Sequence, residues 1–129
     1  MRCIPVSIRR WRTVKMGNYS VIIAQTECQK FQGLQWEPTP LPKNTVIMFN
    51  NITSGIYFHT VNCKFSIDIV ALDRDGKVLS TWKNVPPNQN QVGPMPLRIK
   101  RVVEATAGWI DSKQIKVGDM LPFVNAIEG

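Results

Sequence analysis

Apolar residues in this chain come in short bursts, most of them closed by glycine, proline or asparagine. Tyr19-Ser20-Val21-Ile22-Ile23-Ala24 and Thr45-Val46-Ile47-Met48-Phe49 are rich in the β-branched and aromatic residues that fit a pleated sheet, and each predicts a strand. Residues 65–72 are apolar on both alternating faces, with Ile67, Ile69 and Ala71 on one and Val70 and Leu72 on the other. A strand covered on both sides reads this way, so this segment is expected at the centre of a sheet. Asp73-Arg74-Asp75-Gly76 predicts a hairpin turn, with Gly76 supplying positive φ and a return strand over 78–82. A further strand is expected over 99–105. Ile4, Val6 and Ile8 alternate with Pro5, Ser7 and Arg9, a period of two that predicts one more strand, held to an edge because Pro5 cannot donate to a ladder.

Helical signals are few. Thr26, with Gln29 three residues on, has the spacing of a capping box, and Gly33 closes the short helix that would follow. Residues 111–115 read as a helical turn, with Asp111 favourable at its N-terminus. Pro38, Pro40 and Pro42 make 36–43 an extended surface connection. Asn84 through Pro96, with four prolines, reads as a long loop and the part expected to be most mobile. The fold class expected is mainly β (α+β): one compact domain over 19–129, built as a curved mixed sheet or open barrel with one or two short helices. Residues 1–18 form an N-terminal arm ahead of it.

Charge changes this picture at one place. The chain of 129 residues carries a net charge of +7. Arg2, Arg9, Arg10, Arg12 and Lys15 all fall in the arm, which holds no acid, so the remainder is nearly neutral. A basic arm attracts phosphate backbone or an acidic protein surface. Trp11, inside Arg9-Arg10-Trp11-Arg12, either stacks on a base or anchors the arm in an apolar groove. No apolar run approaches the length that spans a bilayer, and no apolar stretch follows the arginines as a secretory signal requires, so no membrane is expected and the location read is cytoplasmic. Cys3, Cys28 and Cys63 are odd in number and irregular in spacing, which reads as reduced thiols rather than a disulfide framework.

Chemistry concentrates around His59, the only histidine. His59 and Cys63 stand four apart, so an extended chain puts them on one face, where an imidazole could activate a thiol. One histidine and three scattered cysteines do not supply a zinc site, and Asp73-x-Asp75-Gly76 lacks the ligands of a calcium loop, so no metal is expected. No phosphate-cradling glycine loop is present, and no cofactor is expected.

The segment Phe58-His59-Thr60-Val61-Asn62-Cys63-Lys64-Phe65-Ser66-Ile67-Asp68 resembles the signature of the domain of unknown function 192 family. So do Gly33-Leu34, the Asp73-x-x-Gly76-x-Val78 hairpin, Val102-Val103-Glu104-Ala105-Thr106-Ala107-Gly108 and Val117-Gly118-Asp119, in the family's order over roughly 19–122. Ser66 departs from the proline usual there, and Gln35 from the usual methionine. The resemblance implies positions for His59, Asn62, Asp68 and Glu104. Either these converge on a small polar pocket beside the sheet, or Asp68 and Glu104 satisfy buried amides or pair with basic side chains, as buried charges must.

Together these observations read as a non-enzymatic structural or interaction module. Its basic arm, through Arg9, Arg10, Trp11, Arg12 and Lys15, contacts a protein partner or a second copy within a larger assembly. Family members occur in phage genomes, so by analogy a virion component is one form of this. A small-molecule-binding or catalytic domain around His59 and Asp68 is the first alternative; a nucleic-acid-binding accessory protein is the second.

Overall fold

The computed structural model describes residues 2–122. Its centre is one six-stranded mixed sheet, β1 (Thr13–Met16), β2 (Tyr19–Ala24), β3 (Thr45–Phe49), β4 (Ile67–Leu72), β5 (Val78–Val85) and β6 (Arg101–Thr106). The spatial order is β1-β2-β3-β6-β4-β5, so the sheet stays open, with β1 and β5 at its edges. Only β2 and β3 run parallel; every other neighbouring pair is antiparallel. That parallel pair needs a crossover, which α1 (Glu27–Gln32) and the proline-rich segment after it supply. Thr26 Oγ1 accepts from Gln29 N–H while the Gln29 side chain accepts from Thr26 N–H, so the capping box forms. Gly33 ends the helix at φ 52°, a conformation that favours glycine.

Alternation along the strands divides the core in two. Ile22, Ile47, Phe49, Ile67, Ile69 and Val102 face one side, under Ile8, Trp11, Leu34, Cys63, Val92 and Met95 from the arm and loops. Val21, Met48, Val70, Leu72 and Val103 face the other, under Trp109, Ile110 and Ile115. β4 is buried along its whole length, as its two-sided apolar pattern requires. It is not the middle strand, because β6 inserts between β3 and β4. The second helix, α2 (Trp109–Ser112), starts two residues before the expected turn, since Trp109 and Ile110 bury its first turn against the sheet.

Three further expectations are corrected. Residues 4–8 are not a strand: a 3-10 turn covers Ile8–Arg10, and Ile4 is exposed. The Gln32 carboxamide takes the place of a neighbouring strand, accepting from Val6 N–H at 3.1 Å and donating to Val6 O at 2.8 Å. The strand of this region is β1, one turn later. Second, the cysteines are not all reduced: Cys3 and Cys28 form a disulfide, their Cα atoms 5.3 Å apart, within the range a bridge requires. The reason is that the arm runs back past the start of α1, which spacing alone does not reveal. Third, the loop from Asn84 to Pro96 is tied down. Phe58 and Val92 exchange backbone hydrogen bonds, and Thr60 N–H donates to Gln89 O. Thr60 Oγ1 also donates to Pro86 O at 2.6 Å and accepts from Gln89 N–H at 2.9 Å.

Candidate functional site

Glu104 lies mid-way along β6, opposite Ile47 of β3 and Ile69 of β4. Strand alternation turns its side chain to the same face as those isoleucines, beneath the 50–63 loop and α1. It is 3% exposed. Its carboxyl has no hydrogen-bond or ion-pair partner among the described residues. Burial without compensation penalises the charged form, and the Glu104 carboxyl is pushed up from 4.5 to about 8. At neutral pH it is a carboxylic acid.

The acid lines a cavity of about 450 Å³, within the range of small-molecule sites. Phe31, Phe49, Tyr57 and Phe58 supply aromatic wall, Leu34, Ile52 and Ile56 aliphatic wall. Phe49 and Phe58 meet edge to face, ring centroids 5.3 Å apart, and Phe31 meets His59 in the same way at 6.2 Å. Glu27 and Lys30, paired at 3.5 Å, contribute the charged part of the lining. α1 therefore forms one wall, and the Cys3–Cys28 bridge fixes that helix to the arm.

His59 and Glu104 thus share a cavity, with Cys63 between the core and its lining. Asn62 and Asp68 do not. Asn62 is exposed at φ 63°, and its side chain donates to Gln35 Oε1 at 3.1 Å. Asp68 is buried on the opposite face of the sheet. Its Oδ1 accepts from Asn84 N–H at 2.9 Å, and Oδ2 accepts from Gly108 N–H at 3.2 Å and Ile110 N–H at 2.8 Å. That carboxylate fastens β5 and the start of α2 to β4. The residues that spacing did not single out are the walls, Phe31 and Tyr57 above all; their place next to the Gly33-Leu34 turn and the Phe58-His59 segment is a local signal, while their exposure comes only from the fold.

A nucleophilic Cys63 is not what this arrangement offers. Burial, and then the Glu104 charge, push the thiol up to about 12, so it stays protonated. His59 Nδ1 is occupied, accepting from Val61 N–H at 3.1 Å. Among the described residues no three of His, Cys, Asp and Glu gather as a metal site.

The family model described as uncharacterized ACR, the domain of unknown function 192, matches residues 10–123. The chain belongs to that family. Two solved structures share the fold of this family member. A candidate transcription regulator from Sinorhizobium meliloti superposes with a TM-score of 0.73 at 19% identity, covering 79% of each chain. A protein of unknown function from Novosphingobium aromaticivorans gives 0.72 at 21% identity, covering 84% of this chain and 80% of that one. No curated protein matches. At such identities the likeness is one of fold.

The basic arm is partly built into the domain. Ile8 and Trp11 are core residues, Trp11 6% exposed, so its ring offers no face to a base. Arg2, Arg9, Arg10, Arg12 and Lys15 remain exposed around them. No helix among the described residues is long and apolar enough to cross a membrane.

Proposed function

We propose that this family member is a ligand-binding module whose site is the Glu104 cavity, with recognition rather than chemistry as its task. One observation carries the reading: the Glu104 side chain is 3% exposed, and its carboxyl lines the cavity with no hydrogen-bond or ion-pair partner among the described residues. Leaving a polar group in that state costs about 1–3 kcal/mol, and a fold keeps such a defect where something outside the chain satisfies it. Aromatic and aliphatic walls would hold the body of the ligand, and Glu104 and His59 would orient it. The test is a fragment screen by NMR on the folded chain. Hits should shift the amides of Phe31, Ile56, His59 and Glu104, and Phe31→Ala, at an exposed rim position, should weaken them by removing an aromatic contact of about 0.5–1.5 kcal/mol. Hits that map elsewhere, or that ignore Phe31→Ala, would defeat the reading.

A second reading has its own support. Ile8 and Trp11 are seated in the core while Arg9, Arg10 and Arg12 point outward, so a cationic strip is presented on a fixed support. Such a strip suits contact with an acidic protein surface in an assembly, a virion among them, or with nucleic acid. The triple change of Arg9, Arg10 and Arg12 to Glu leaves the buried anchors in place. Partner capture or self-association that survives it, at low and high salt alike, would end this reading. The Cys3–Cys28 bridge favours oxidising surroundings, such as a cell exterior or virion surface, over the cytoplasm as the place of action.

A further inference from the structure

The ligand-binding reading leaves open what kind of molecule the cavity takes, and its polar groups narrow the choice. Glu104 has acceptor lone pairs and no donor to fill them. Among the described residues a ligand carboxylate or phosphate would find one lysine or arginine in the lining, Lys30, and that ammonium is already paired with Glu27 at 3.5 Å. Two of the carboxamides in the lining are engaged: Gln32 clasps Val6, and Gln35 Nε2 donates to Phe31 O at 2.9 Å. Asn51, Thr53 and Tyr57 add neutral donors to the lining, but among the described residues no lysine or arginine without an acid partner faces a ligand anion there. The cavity walls carry four phenyl or phenol rings, whose faces attract a cation.

We propose that the Glu104 cavity binds a small amphiphilic amine, with its ammonium group donating to the Glu104 carboxyl and its apolar body against Phe31, Tyr57 and Phe58. This rests on the cavity being a ligand site at all, and it adds a chemical class to it. An ammonium has three donors, so it satisfies Glu104 where a neutral acceptor would engage only the acid's single proton. The proton balance is explicit. The neutral acid and the cationic amine enter; a carboxylate–ammonium pair remains; one proton leaves to the buffer.

With the carboxyl held at about 8, binding at pH 7 should release about 0.9 proton, and affinity should rise about 50-fold from pH 6 to pH 8 as the acid gives up its proton. Glu27, Lys30, Tyr57, His59 and Cys63 also face the cavity, and His59 is the one removed as a control, by His59→Gln.

The experiment is calorimetry of the full chain with three probes of matched shape: 2-phenylethylamine, 2-phenylethanol and phenylacetate. Each is run in two buffers of different ionisation heat, across pH 6 to 8, on wild type, His59→Gln, Glu104→Gln and Phe31→Ala. The expected result is amine binding with proton release in wild type; His59→Gln, which removes a lining side chain, should bind more weakly but still release the proton. Glu104→Gln should lose the proton release and most of the affinity, and Phe31→Ala should weaken binding about 2- to 10-fold. If the alcohol binds as well as the amine and no proton moves, the amine class is wrong while the pocket stands. If phenylacetate is preferred, with proton uptake, the class is wrong in the other direction. If none of the three binds, the pocket reading falls with it.

Discussion

Replacing Glu104 by Gln keeps the shape of the side chain and removes its titration, which makes the stability of the two proteins as a function of pH a direct readout of the buried acid. In the folded chain the carboxyl titrates at about 8; unfolded, it returns to its ordinary value of 4.5. Between those pH values the folded state keeps a proton that the unfolded state has given up, so stability is present in full below pH 4.5 and falls as pH rises through the window. Each unit is worth about 1.4 kcal/mol, so the loss reaches ~3 kcal/mol at pH 7 and ~5 kcal/mol above pH 8. Because Glu104 is 3% exposed, solvent does not screen this away. It is a large share of the ~5–15 kcal/mol that holds an ordinary domain together. Urea denaturation of both proteins at intervals from pH 4 to 9 measures it. Every other titrating group is common to the two chains and cancels in the difference, while Cys63, which feels the Glu104 charge, titrates at about 12, outside the range. Glu104→Gln should gain on wild type by about 1.4 kcal/mol per unit from pH 5 to pH 8 and then level off. A difference that stays constant across the range would refute the claim that an uncompensated acid is buried there.

Further outcomes follow from other contacts. Cys3→Ser with Cys28→Ser opens a loop of 25 residues and should cost about 3.5 kcal/mol on the chain-entropy model, read as a lower denaturation midpoint that matches reduced wild type. Asp68→Ala strands the amides of Asn84, Gly108 and Ile110 and should cost ~3 kcal/mol or more, whereas Asn62→Ala, at an exposed site, should cost below about 1 kcal/mol. Thr60→Val keeps the shape but removes the hydroxyl bonded to Pro86 and Gln89. It should cost about 2 kcal/mol and speed amide exchange at Gln89 and Val92, with little change in β2 or β3.

How much of this was written in the linear sequence depends on the range of the interaction. β2, β3 and β4 were legible because a run of β-branched residues is a local signal, and the capping box of α1 because Thr26 and Gln29 are three apart. The arm was misread for the opposite reason. Ile4, Val6 and Ile8 do alternate, but Val6 meets a side-chain amide from residue 32 instead of a strand. The pairing of Cys3 with Cys28 likewise depends on the path of the arm across α1, which periodicity does not encode. The site shows the same limit. Alternation along β4 and along β6 is visible separately, but whether Asp68 and Glu104 share a face is decided by the register between the two strands. Asp68 pairs with Ala105 and Ile69 with Glu104, so the two acids point to opposite faces. His59 lies on the Glu104 side in a loop that Thr60 pins against Pro86 and Gln89 and that Phe58 bridges to Val92, contacts no local pattern encodes.

The most direct measurement is a carbon NMR titration of glutamate carboxyls, wild type against Glu104→Gln. The resonance that the substitution removes should titrate at about 8 and move to a lower pH when 2-phenylethylamine is added. A Glu104 resonance that titrates with the other glutamates in the ordinary acid range would contradict the account.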